Sequence, residues 1–330
     1  MTNLDSKTIS MLRFPLIVGV VCIHARAVNP DLWGGIFQNL LGVEIGSISV
    51  PLFLIISGYL FFLELPDILK REDYLKKWKS RCRSLLVPYL LWNFIAYIVY
   101  AVQSGFSLSD FFYAFWVIDI PGRTESSPID GPLWYVRNLM LMVLITPLIS
   151  VMLRFTKWYL LALMAFLWLF QLSVFSKGIG IAFFFFSLGG FLRMQRFSVE
   201  KLRFGSLILI GYIIYVIVTI SYGYYGIVVL TKLRLLMGIY SAIYLSSLVA
   251  KRGKEIVKGS FLFLAESSFF IYCCHDIILP FVKYLLYNVT STSIVQYLSV
   301  ILIDIIFCLV LFYFLNKCFP SVAKLLTGGR

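Results

Sequence analysis

The chain has 330 residues, of which 60% are hydrophobic, 17% aromatic and 14% charged, where a soluble chain runs about 45–50% apolar and about 25% charged. So much apolar surface excludes a pair of water-soluble domains, and with it most cytosolic enzymes, nucleic-acid binders and secreted scaffolds. The formal charge of +13 therefore speaks through its distribution along the chain rather than as a sign of nucleic acid.

A helix crosses the hydrocarbon with about 20 mostly apolar residues. That window predicts an all-α bundle of ten spans, at about 10–29, 44–64, 85–104, 133–153, 158–175, 179–192, 204–222, 226–249, 260–282 and 294–316. The sixth is short, and Lys232 and Arg234 interrupt the eighth. No cleavable signal peptide is read, because Arg13, His24 and Arg26 lie in or beside the first apolar stretch and no A-x-A site follows.

With the N-terminus inside, the segments between spans put twenty-one Lys and Arg on the cytoplasmic side and four outside: Arg26, Arg123, Lys177 and Lys283. The positive-inside rule then places both termini, Arg330 included, in the cytoplasm. The six cysteines, Cys22, Cys82, Cys273, Cys274, Cys308 and Cys318, form no C-x-x-C pair. Neither disulfides nor a metal site is expected from them.

A charge at the centre of a spanning helix costs about 2.5–3.5 kcal/mol, so those that persist face a partner or a cavity. In the first span Arg13 and His24 are eleven residues apart. At 100° per residue they fall about 20° from one another around the helix, and about 16 Å apart along it. They describe one wall of a slot, with a cation near the inner face and an imidazole in the outer half. Arg13 can instead reach back to the inner headgroups, and His24 can be a satisfied core residue.

The second span carries Pro51-Leu52-Phe53-Leu54-Ile55-Ile56-Ser57-Gly58-Tyr59, where Ser57 and Gly58 suit close helix packing. The run from Lys70 to Arg83 before the third span reads as positive-inside charge on anionic lipid, or as a phosphate site with Arg81 and Arg83 nearest the helix start. The segment 105–132 holds Phe111, Phe112, Tyr113, Phe115 and Trp116, an amphipathic piece or an aromatic belt at the outer interface. At the fourth span, Arg137 follows Trp134 by one turn, able to bind a polar acceptor or to anchor the interface.

In the ninth span Ser268, Tyr272 and His275 share one face, and Asp276 points elsewhere. Glu266 and Asp304 are intramembrane acids with no partner assigned. Gly189-Gly190 reads as packing. There is no G-x-S-x-G, no H-E-x-x-H and no Walker loop.

Taken in order, these segments resemble the acyltransferase-3 family, polytopic membrane O-acyltransferases that decorate bacterial surface glycans. Arg13 and His24 reproduce its R-x10-H pattern. Pro51–Leu60 resembles its F-x-x-S-G-F/Y segment, with Tyr59 for Phe. Arg81–Asn93, Pro132–Arg137, Phe185–Leu192 and Ser268–His275 match later segments. The likeness spans nearly the whole chain and implies a single transmembrane domain over 1–330 in the bacterial inner membrane.

It further implies an acyl-CoA co-substrate, usually acetyl-CoA, held by Arg81 and Arg83, with no permanently bound cofactor or metal. The acceptor would be a hydroxyl of a cell-surface or lipid-linked glycan. His24 would be the base, or be transiently acylated, and Arg13 would orient the donor. Ser57, Trp134, Arg137, Tyr272 and His275 would line the chamber. A lipid-linked sugar flippase or exporter is the competing reading, against which stand the single wall of Arg13 and His24 and the absence of repeat symmetry.

Overall fold

The computed structural model describes residues 1–27, 30–63, 70–116, 128–172, 178–222, 227–287 and 294–329. Arg123, Lys177 and Arg330 of the charge count, and most of the Pro/Gly/Ser-rich run before Gly131, lie outside them. Every element among the described residues is a helix. In chain order these are α1 (Asn3–His24), α2 (Leu32–Gln38), α3 (Ser49–Leu63), α4 (Arg71–Arg81), α5 (Val87–Ser104), α6 (Leu108–Trp116), α7 (Trp134–Leu144) and α8 (Thr146–Thr156). They continue with α9 (Trp158–Leu169), α10 (Gly178–Met194), α11 (Gly205–Tyr222), α12 (Val228–Arg252), α13 (Glu255–Tyr287), α14 (Ile294–Cys318) and α15 (Pro320–Thr327).

Seven helices are long and apolar enough to cross a membrane, or eight if a bent pair counts as one span. This is fewer than the ten spans expected. The predicted span 133–153 is broken by 65° between α7 and α8, and α9 and α10 have 12 and 17 residues. The break has a local cause. Pro147, near the start of α8, has no N–H to give and crowds the carbonyl four residues earlier. That carbonyl, Val143 O, and Leu144 O accept from the Tyr74 hydroxyl of α4 at 3.3 and 2.7 Å.

Helix α1 is the axis of the bundle, packed on α3, α12, α13 and α14. A capping box starts it: Asp5 N donates to Thr2 Oγ1 and Thr2 N to Asp5 Oδ2. Asp5 also accepts from Ser198 Oγ and Val199 N at 2.9 Å each. At the other end Lys283 of α13 donates to the carbonyls of His24 (2.8 Å) and Arg26 (3.1 Å). This is a cation where the helix dipole leaves acceptors unpaired. Tyr297 of α14 donates to Cys22 O at 2.8 Å, so both α13 and α14 grip the His24 end.

Backbone contact replaces side-chain contact between α3 and α10. A Cβ on Gly58 would stand 2.1 Å from Phe186 O, and one on Gly189 2.1 Å from Ile55 O. The packing reading of these glycines holds, and it fixes the Ser57 turn of α3 against α10.

The two cations that interrupt the apolar run of α12, Lys232 and Arg234, are both answered. Arg234, 3% exposed, pairs with Glu44, 2% exposed. Glu44 sits in a π-helical turn, Asn39–Ile45, ahead of α3. Arg234 also reaches Val43 O (3.3 Å) and Ser47 Oγ (3.4 Å). Lys232 donates to Trp168 O and lies 5.1 Å above that indole.

Candidate active site

Although α1 is packed on most sides, Arg13 is exposed and the His24 side chain is one-third exposed. Arg13 has no side-chain partner among the described residues. The two remain on one wall of the helix, as their spacing requires.

Opposite His24, α13 presents two consecutive side chains. The His275 ring meets the His24 ring edge to face, with centroids 5.3 Å apart. Asp276 Oδ1 is 3.4 Å from His24 Nδ1. This corrects the expectation that Asp276 points elsewhere. Although successive residues diverge by 100° on α13, α1 crosses it between them, so the His24 ring sits in the notch they form.

His275 is fully buried, with Nδ1 3.0 Å from Ile271 O and 2.9 Å from Tyr272 O. Both neighbours are acceptors, so Nδ1 carries the proton and Nε2 the lone pair. By the same logic, the Asp276 carboxylate holds the His24 proton on Nδ1 and leaves His24 Nε2 free to accept one.

A chain of contacts runs from this pair toward α4. The Tyr272 ring is 6.4 Å from His275 and 5.8 Å from Tyr135 of α7. The Tyr135 hydroxyl is 3.0 Å from Ser57 Oγ, and Arg81 is within electrostatic reach of Tyr135. Arg83 is exposed in the π-helical turn Cys82–Leu86 that joins α4 to α5. Ser57, Tyr272 and His275 are thus brought together, with Arg81 at the far end.

Trp134 and Arg137 take other places. The Trp134 ring lies against Gly178, 3.3 Å from where a Cβ would be. Arg137 lies beside Asn138 (Nε to Oδ1, 3.4 Å) and near Tyr89 of α5. Tyr135, which the sequence reading passed over, is the residue of α7 that joins the contact chain.

The loop before α7 covers the site. Tyr272 donates to Pro132 O, and a Cβ on Gly131 would be 3.2 Å from Asp276 Oδ2. Asp130 is 1% exposed and neither carboxylate oxygen has a hydrogen-bond partner. Burial, and then the nearby Asp276 carboxylate, hold its carboxyl well above the usual carboxylate range. A raised carboxyl pKa favours the folded state below the unfolded value of about 3.9 and loses that advantage as pH rises toward the folded one. Asp130→Asn is therefore expected to melt near the parent at pH 4 and progressively above it toward pH 8; a constant difference across that range contradicts the assignment.

The remaining intramembrane acids separate. Asp304 of α14 is fully buried with both oxygens unpartnered, within electrostatic reach of Lys283 and Asp276. Glu266 is exposed, near Tyr313. A cavity of about 60 Å³ opens between α1, α3, α10 and α12. Thr8, Leu12, Ile55 and Tyr59 are on its walls, and Arg13 and His24 are not.

The sequence model of the acyltransferase-3 family, described as an acyltransferase domain, matches residues 7–313. The chain is similar to the succinoglycan biosynthesis protein ExoH of Rhizobium meliloti (strain 1021), at 29% identity over 98% of this chain and 92% of that protein. No solved structure matches it.

Proposed function

Because the chain belongs to the acyltransferase-3 family, we propose that it moves an acyl group, acetyl above all, from cytoplasmic acyl-CoA to a hydroxyl of a cell-surface or lipid-linked glycan. The name of its relative ExoH supports a polysaccharide acceptor. In this reading the protein lies in the bacterial inner membrane with both termini cytoplasmic. The seven long helices, the bent α7–α8 pair, α9 and α10 make ten crossings.

The observation that carries the proposal is the His24–Asp276 contact at 3.4 Å. A carboxylate on Nδ1 fixes the tautomer whose Nε2 is a base and stabilises the imidazolium that forms. His24 Nε2 takes the proton of the acceptor hydroxyl while its oxygen adds to the thioester carbonyl. The tetrahedral intermediate collapses, the C–S bond breaks, and His24 returns the proton to the CoA thiolate. Direct attack on the thioester by His24 Nε2 uses the same tautomer: the C–S bond breaks to release the CoA thiolate, the acceptor hydroxyl then takes the acyl group from the acyl-imidazole, and its proton passes to the thiolate.

The end of the basic α4 and the turn after it would receive the CoA phosphates through Arg81 and Arg83, guanidinium being suited to phosphate geometry. Arg13 would orient the donor or meet the charge on the thioester oxygen. Ser57, Tyr135, Tyr272 and His275 would line the path between them.

The test is purified protein supplied with radiolabelled acetyl-CoA and a glycan acceptor. Label on the glycan is the expected result. Translocation of acceptor with no label transferred would assign the chain to the flippase class instead.

A further inference from the structure

His24, His275 and Asp276 converge more closely than base catalysis requires. A ring nitrogen of each histidine and a carboxylate oxygen of Asp276 all lie within 4.8 Å of one another. Zn–N and Zn–O bonds of about 2.0–2.2 Å in a tetrahedron put neighbouring ligand atoms about 3.3–3.5 Å apart. His24 Nδ1 and Asp276 Oδ1, at 3.4 Å, already stand at that spacing. The third donor, on His275, lies within 4.8 Å of the ligand atoms of the other two residues.

His275 is prepared for the role independently. Its Nδ1 is committed to the carbonyls of Ile271 and Tyr272, as the second ring nitrogen of a metal-binding histidine usually is. Its Nε2 is buried and has no hydrogen-bond partner. A buried acceptor left without a donor is costly, and a cation answers it. Asp304 and Asp130, buried nearby, do not answer it: their carboxylate oxygens have no hydrogen-bond partner among the described residues. The ammonium of Lys283 is already engaged by the His24 and Arg26 carbonyls.

We infer that His24, His275 and Asp276 form a binding site for a divalent ion of the zinc class. Two imidazoles and one carboxylate suit zinc rather than magnesium or calcium, which take oxygen ligands. Three protein ligands leave the fourth position to water or a substrate hydroxyl. The ion displaces the His24 Nδ1 proton and takes up the Asp276 carboxylate that sets the catalytic tautomer, so zinc occupancy inhibits transfer. That last consequence rests on the function proposed above; the site itself does not.

Full-length protein in detergent, stripped with EDTA and titrated with zinc chloride, is expected to hold one zinc per chain by elemental analysis. X-ray absorption on this parent chain, which needs no variant, is expected to show nitrogen and oxygen neighbours at about 2.0–2.1 Å. His275→Ala and the isosteric Asp276→Asn should each weaken binding at least about tenfold, and zinc should inhibit label transfer reversibly by chelator. No zinc beyond that held by His275→Ala overturns the inference. So does a sulfur shell near 2.3 Å, which would put the ion on Cys273 or Cys274. Metal content is read without an acyl donor. A chain that transfers acetyl but binds no zinc therefore overturns this inference alone, and one that binds zinc yet transfers nothing after the chelator has removed it overturns only the function.

Discussion

His24→Ala, present in the membrane at the parent's level, is expected to transfer acyl groups about 10²–10⁴-fold more slowly, the usual contribution of a positioned general base. The loss should fall on kcat, because the imidazole acts on the proton in flight rather than on either bound ground state. Asp276→Asn keeps the shape of its side chain but removes the charge that orients His24 (3.4 Å). It should lose part of the same rate and none of the protein. Acetyl incorporation into glycan, normalised to protein amount, checks both. Full activity in His24→Ala would remove the base from the mechanism and leave Asp276 without a role in it.

The second large effect is on stability. Glu44→Gln leaves the Arg234 guanidinium, 3% exposed, with only carbonyl and hydroxyl neighbours. Breaking a buried pair from one side costs about 3–5 kcal/mol because the remaining charge has no compensation. Replacing both partners, as Glu44→Gln with Arg234→Met, should recover most of that loss. Thermal unfolding in detergent reads the difference. Single and double variants that melt with the parent would contradict the buried pair.

The pair also supports the candidate site from behind. Gly46 follows the turn that carries Glu44, and a Cβ on it would be 2.7 Å from Gly19 O of α1. A Cβ on Gly19 would meet Ser49 Oγ at 2.4 Å. Helix α1 is thus pressed onto this turn a short way before His24, and loosening the turn loosens the helix that aims the imidazole.

Much of the helical plan was legible because apolar length is written directly into composition. Arg13 and His24 share a wall because both lie on one helix, where rotation per residue is a fixed quantity. What one-dimensional periodicity lacks is where a second helix crosses. On α13 it separates His275 from Asp276 by 100°, yet α1 crosses between them and His24 touches both. On α7 the neighbours Trp134 and Tyr135 are both aromatic. Only the packing of α10 on the first and of α3 and α13 on the second decides that Tyr135 joins the site.

The same reason hid Glu44. It lies at the edge of an apolar run, and its partner Arg234 is 190 residues away. An intramembrane arginine announces that a partner exists without saying where. The bend between α7 and α8 was signalled by Pro147, which an apolar window averages away. Asp130 carries a weaker signal, a lone acid ahead of Gly131-Pro132, and only burial shows its weight.

The most direct measurement of the central claim is sidedness. The chain, reconstituted in one orientation in sealed vesicles, would be given labelled acetyl-CoA on the face bearing α4, Arg81 and Arg83, with glycan acceptor only on the opposite face. The account predicts labelled acceptor across the bilayer, and no label when the donor is offered on the acceptor's side alone. Label from acceptor-side donor, with none from the α4 face, would contradict a donor that enters beside Arg81 and reaches His24 through the protein.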